Sequence, residues 1–212
     1  MNKDLNQDSI GQIQLNYNNI PVAVFLLGPN GSGKSSLRRY LDLSDIQTNI
    51  DPDMLNRVYK DKFPNTYTVA AAKKALMMYD DGLKNGLNIC LESTLAGHGT
   101  MLRIMAAKKL GYYTIAYYIG LNSVELNLER IALRVLHGGH DIPEDKVRKR
   151  FTESGQNLIK SKNSFDEIHI IDNSGKYFQL QHSIVQNKII QYKTPKEEWA
   201  NKLFKDLKDE SM

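Results

Sequence analysis

A single cysteine, Cys90, is all that the 212 residues hold. No disulfide framework can form within the chain, and a reducing cytoplasm is compatible. Cys90 lies in an apolar run, where core packing is its expected role. Long hydrophobic runs are lacking too: none approaches the ~20 residues of a membrane span, so no membrane partner is expected. The polar N-terminal segment, residues 1–19, has no signal-peptide apolar region, and a cytoplasmic location is expected. Internal repeats, long linkers and low-complexity segments are also missing. Residues 1–212 therefore read as one domain, large enough for a full core. Excess charge of one sign is small: 28 Lys and Arg against 24 Asp and Glu leave a net +4. That suits the binding of anionic phosphates and is too weak to argue for nucleic acid.

What is present is more specific. Residues 28–35 read Gly-Pro-Asn-Gly-Ser-Gly-Lys-Ser, a complete G-x-x-x-x-G-K-[ST] phosphate-binding loop. It follows the apolar run Val22–Leu27 and precedes a helix-forming stretch from Ser36 to Leu41. Gly28, Gly31 and Gly33 allow backbone N–H groups to approach phosphate oxygens. With Pro29, Asn30, Ser32 and Ser36 they form the expected ATP-phosphate cradle. Lys34 is expected to reach the β- and γ-phosphates and Ser35 to hold Mg²⁺. A helix starting near Lys34 adds its positive dipole end.

Five apolar runs read as buried parallel strands: Val22–Leu27, Thr48–Ile50, Asn88–Leu91, Tyr113–Ile119 and Glu167–Ile171. Helical patterns separate them at Asp53–Lys60, Tyr67–Asn85, Thr100–Leu110, from the N-cap Ser123 to about His137, and at Glu144–Ser161 with Pro143 as first helical residue. The tail departs from this order. Tyr177–Gln181 and Ser183–Tyr192 alternate apolar and polar, with Asn187-Lys188 between the last pieces, and read as a small hairpin; Lys196–Leu207 reads as a terminal helix docking through Trp199, Leu203, Phe204 and Leu207. The expected fold is α/β: a P-loop NTPase/kinase-like three-layer sandwich with a mainly parallel central sheet, a C-terminal hairpin and a helix. Tyr112, Tyr113, Tyr117 and Tyr118 fall on a core strand and read as packing, so nucleic acid is not an expected partner.

Ligands of open parallel sheets bind at the carboxyl ends of strands. Asp51 and Asp53 follow the second strand there, and Glu92, Ser93 and Thr94 the third. Asp172 and Asn173 follow the fifth. Carboxylates beside a phosphate loop are what phosphoryl transfer needs, one to activate a hydroxyl and one to hold metal. Asp53 reads equally as catalytic base or as helix N-cap, and Glu92 as a Walker B-type acid at the metal beside Ser35. The run from Arg134 through Gly138-Gly139-His140 to Arg150 places a glycine pair between arginine-bearing helices. Residues 138–151 are the expected lid, while Arg130, Lys146 and Lys149 read as a solvated face. His137 and His140 read as loop-ordering or substrate contacts, because no Cys or further His is nearby to complete a metal site.

Five segments in order, GPNGSGKSS, NIDPD, LESTLAG, RVLHGGHDIPEDKVRKRF and IIDNSG, are similar to the zeta-toxin family of phosphate-loop kinases. The resemblance covers roughly residues 20–175. It implies an ATP- and Mg²⁺-dependent kinase whose acceptor is a sugar nucleotide such as UDP-N-acetylglucosamine, phosphorylated on the 3′-hydroxyl of the amino sugar. By motif, Asp53 takes the place of the catalytic base, Lys34 of the loop lysine and Glu92 of the acid ending the third strand. Arg134 and Arg150 take those of the lid arginines on the ATP phosphates. An antitoxin protein is the partner the family brings. The alternatives are a kinase for another hydroxylated acceptor (an antibiotic, a nucleoside, a polynucleotide end) or a nucleotide-binding regulatory ATPase.

Overall fold

The structure is a computed structural model and describes residues 19–190, 192 and 196–209. The expected polar segment 1–19 therefore lies almost wholly outside the described residues. Five strands, β1 (Val22–Leu27), β2 (Thr48–Ile50), β3 (Ile89–Ser93), β4 (Tyr113–Gly120) and β5 (Glu167–Asp172), run parallel. Two more, β6 (Gln179–Val185) and β7 (Lys188–Ile190), add antiparallel to the β5 edge, giving the order β2-β3-β1-β4-β5-β6-β7. The tail hairpin is thus part of the main sheet. Its turn sits at Gln186 and Asn187, whose φ of 48° and 63° fit a primed turn. That is one residue before the expected turn at Asn187-Lys188.

The helices are α1 (Lys34–Leu37), α2 (Pro52–Lys62), α3 (Tyr67–Lys84), α4 (His98–Lys109), α5 (Val124–Leu136), α6 (Glu144–Lys160) and α7 (Glu198–Lys208). β1 is buried along its whole length, and its alternating side chains feed two cores. Ala23, Phe25 and Leu27 join the core under α3, α4, α6 and α7, with Tyr79, Ile104, Leu158 and Leu203. Val22, Val24 and Leu26 join the core on the other face, with Leu37, Leu41, Ile115 and Leu180. That second layer is thin, because α1 has only four residues before a 3₁₀ turn, Arg38–Tyr40. So short a helix supplies little of the expected dipole, and the anion field of the loop comes from its own N–H groups and Lys34.

Two ends are fixed by side chains read in the sequence. Ser123 Oγ accepts from Leu126 N and caps α5. Trp199 of α7 donates from Nε1 to Asp172 Oδ1 at 3.0 Å, while Leu203 and Leu207 are buried, so the terminal stripe docks as expected. Pro143 takes the N-cap position of α6, one place earlier than expected. Among the described residues no helix is long and apolar enough to cross a membrane.

Candidate active site

The phosphate loop joins β1 to α1 with Gly28, Gly31 and Gly33 at φ of 138°, 78° and 100°. Lys34 Nζ donates to the loop's own carbonyls, Gly28 O and Pro29 O, both at 2.9 Å. The lysine is buried. Burial lowers its pKa, opposed by the negative charges of Glu92, Asp53 and Asp51, while Arg134 adds to the lowering. That list of neighbours brings together residues from β3, α2 and α5 around one ammonium group.

Glu92 stands inside β3, not after it, because the strand runs on to Ser93 beside β1, with Glu92 paired to Leu26. It is buried, and its carboxyl is pushed above the usual carboxylate range by loss of hydration, against the pull of Lys34. Ser35 Oγ donates to Glu92 Oε1 at 2.9 Å, and Arg38 Nη2 lies 3.8 Å from Oε2. Ser36 follows on the exposed side of α1.

Asp51 and Asp53 divide their roles. Asp51 Oδ1 accepts from Asp53 N at 3.0 Å and Met54 N at 3.1 Å, so Asp51 is the N-cap of α2, with Pro52 as first helical residue. The cap reading of Asp53 is thereby excluded, and its carboxylate is left to face Arg134, whose Nη1 lies 3.8 Å from Oδ2.

Arg134 also donates from Nη2 to His140 O at 2.7 Å. The glycine pair beyond it forms a Schellman cap, with Gly138 N donating to Val135 O and Gly139 N to Arg134 O, both at 2.9 Å. Gly138 takes the left-handed φ of 80°, and a Cβ on Gly139 would fall 2.5 Å from Arg134 Cγ. The glycine pair stops α5 and seats Arg134. His137, just past α5, donates from Nδ1 to Leu133 O at 2.7 Å, a loop-ordering contact.

Arg150 donates from Nη1 to Asn30 Oδ1 at 3.0 Å, reaching the phosphate loop from α6. It also borders a cleft of about 520 Å³ beside the end of β3 and the start of α4. Ser93, Thr94, Arg103, Lys146 and Lys149 line the same cleft, with Glu153 as its one carboxylate. Lys146 and Lys149 are exposed, as a solvated face would be, and also border this cleft. Arg130 is corrected more sharply: its Nη2 donates to Asn173 O at 2.7 Å. Asp172 is tied up by Ser174 and Trp199 and serves as an anchor. Asn127 and Arg103 carried no motif, whereas Asn173 lay at a strand end and in the segment IIDNSG with nothing in the sequence to name its partner. Asn127, Arg130 and Asn173 each bond to a carbonyl distant in sequence.

The arrangement can cradle phosphates, neutralise them with Lys34, Arg134 and Arg150, and present Asp53 to a hydroxyl. Among the described residues no cluster of three or more His, Cys, Asp or Glu forms a protein-only metal cage. A hydroxyl beside one carboxylate, Ser35 and Glu92, is the donor set Mg²⁺ takes when substrate phosphates complete its shell.

Solved structures with the same fold include the AvrRxo1-ORF1:AvrRxo1-ORF2 complex. Its native form matches with TM-score 0.64 at 14% identity over 87% of this chain and 63% of that one. The complex with ATP matches with 0.63 at 13% over 91% and 65%. This chain therefore spans less than two thirds of the length of that protein. The PezAT chromosomal toxin-antitoxin system of Streptococcus pneumoniae matches with TM-score 0.53 at 20% identity, over 75% of this chain and 71% of that one. At such identities these likenesses speak for the fold, a P-loop kinase-like α/β sandwich. An uncharacterized protein of Haemophilus influenzae is 39% identical over 129 residues, 61% of this chain and 91% of its own length. The zeta toxin family pattern matches residues 7–183. The loop, the paired acids, Arg134 and Arg150 all fall within that match, and the chain belongs to the zeta toxin family.

Proposed function

We propose that the protein is an ATP-dependent kinase that phosphorylates a hydroxyl of an anionic small molecule, a sugar nucleotide such as UDP-N-acetylglucosamine. The family and the fold support the kinase; the basic cleft supports the kind of acceptor. The observation that carries it is Arg150, which touches Asn30 of the phosphate loop while bordering the cleft lined by Arg103, Lys146 and Lys149. An acceptor bearing phosphates would place its negative charge on that wall and its hydroxyl toward the loop.

In the reaction the acceptor oxygen attacks the γ-phosphorus and the bond to the β,γ-bridging oxygen breaks, releasing ADP. Asp53 orients the hydroxyl and takes its proton. Lys34, Arg134 and Arg150 stabilise charge spread over the transferred group. Ser35 and Glu92 would hold Mg²⁺, which supplies charge neutralisation at the phosphates. An antitoxin is the partner proposed, since the PezAT neighbour is a toxin-antitoxin system and the AvrRxo1 neighbour a two-protein complex.

The test is ADP release with and without acceptors, with mass spectrometry of the products. The panel is sugar nucleotides, free sugars, nucleosides, aminoglycosides and 5′-hydroxyl oligonucleotides. A sugar-nucleotide phosphate product with little turnover on free sugars supports the reading. Turnover on neutral acceptors alone rejects the role of the basic wall, and slow ATP hydrolysis indifferent to every acceptor favours a regulatory ATPase.

A further inference from the structure

Two asparagines outside the motif hold the phosphate loop by its carbonyls. Asn127, fully buried on α5, donates from Nδ2 to Asn30 O at 2.6 Å. Asn173, just past β5, donates from Nδ2 to Ser32 O at 2.8 Å. Asn173 is itself braced: its N–H donates to Gly120 O at 3.1 Å and its carbonyl accepts from Arg130 Nη2 at 2.7 Å. Asn127 and Arg130 lie three residues apart on one side of α5.

A trans peptide is planar, so the carbonyl of one residue and the N–H of the next point in opposite directions. Fixing Asn30 O toward Asn127 therefore turns the Gly31 N–H the other way. Fixing Ser32 O toward Asn173 does the same for Gly33. Among the described residues neither of those N–H groups meets an acceptor. The glycines make room for the arrangement. A Cβ on Gly33 would fall 2.3 Å from Asn173 Nδ2, and one on Gly31 2.8 Å from Asn127 O.

We propose that Asn127 and Asn173 are positioning residues that set two peptide planes of the loop so that the Gly31 and Gly33 N–H groups face the donor's phosphate oxygens. The proposal rests on the kinase reading for the identity of the donor. It adds that α5 governs the cradle through Asn127 and Arg130 as well as carrying Arg134.

The experiment measures ADP, pyrophosphate and adenosine binding by calorimetry in Asn127→Asp and Asn173→Asp, with thermal melts alongside. Each change keeps the side-chain shape and replaces the donating amide with an oxygen facing a carbonyl. ADP and pyrophosphate affinity should fall about ten- to a hundredfold, and adenosine binding should stay near wild type. Wild-type affinity for ADP and pyrophosphate in folded Asn173→Asp overturns the proposal, as does an equal loss for adenosine. Should Asn127→Asp fail to fold, Arg130→Lys withdraws the brace on Asn173 without burying a charge. A smaller loss confined to the phosphate-bearing ligands then supports the proposal, and unchanged affinity overturns it. Binding needs no acceptor, so a wild type that binds ADP and transfers nothing defeats the kinase reading alone. A wild type that binds neither ADP nor pyrophosphate defeats both.

Discussion

Arg134 of α5 and Asp53 of α2 face each other with Nη1 3.8 Å from Oδ2, both side chains partly open to solvent. Such a pair adds little to stability. On the proposed function its consequence is positional: the cation proposed for the transferred phosphate and the base proposed for the acceptor hydroxyl stand side by side. Asp53→Asn is expected to fold and bind ATP normally, because Asp51 caps the helix. Turnover should drop ~10²–10⁴-fold. Acceptor-dependent ADP release beside a melting curve checks this, and near-normal turnover would move the base elsewhere.

Lys34→Ala should abolish transfer, and it should also cost stability. The ammonium satisfies Gly28 O and Pro29 O in a buried setting, and orphaned buried acceptors cost about 1–3 kcal/mol each. Chemical denaturation of the variant is the measurement; an unchanged midpoint would show that water replaces the lysine without loss.

Glu92 supplies a pH signature. Its carboxyl is held above the usual 4.5 by burial, so the folded state keeps the proton more readily than the unfolded chain. Stability is therefore lost as pH rises through that window, and above it the ionised group carries its full cost. Glu92→Gln should melt higher than wild type at about pH 8, with the advantage fading by about pH 4. Transfer should nevertheless fall, because Ser35 loses its carboxylate partner. An advantage that grows toward acid pH contradicts this account.

Lys146→Ala combined with Lys149→Ala should raise KM for an anionic acceptor about tenfold or more, by loss of two charge-assisted contacts, with KM for ATP little changed. Initial rates with each substrate varied separately read the split. Equal effects on both substrates would place the lysines at the donor.

Gly139→Ala drives a Cβ into Arg134 Cγ and the carbonyl that closes the helix cap. Loss of about 1–3 kcal/mol is expected, together with a lower kcat. At Gly138 the space is open and only the positive φ resists a side chain, so Gly138→Asn should be tolerated. Paired melts and rates of the two variants check the contrast.

The sheet was legible because β1 is an uninterrupted apolar run and short apolar stretches recur between the helical patterns, so β1, β2 and the starts of β4 and β5 fall where they were expected. The end of β3 was not, since Glu92 and Ser93 look like loop residues until Ser35 and β1 are seen beside them. The phosphate loop announced itself by spacing, and Asp53 by its place after a strand. The roles of Asn127 and Asn173 were illegible for a plain reason. Asn127 reads as one more polar residue on an amphipathic helix and Asn173 only as a residue past a strand, and the fold alone shows that their partners are carbonyls up to 141 positions away.

The cleft and the cradle share very little. Of the cations around the cleft, Arg150 reaches the phosphate loop, whereas Arg103, Lys146 and Lys149 lie on its outer wall away from the loop's carbonyl clamps. On the proposed function the two halves of the site can therefore be altered separately: a change at Lys146 or Lys149 touches the acceptor side, whereas a change at Arg150 touches the cleft and the phosphate loop at once.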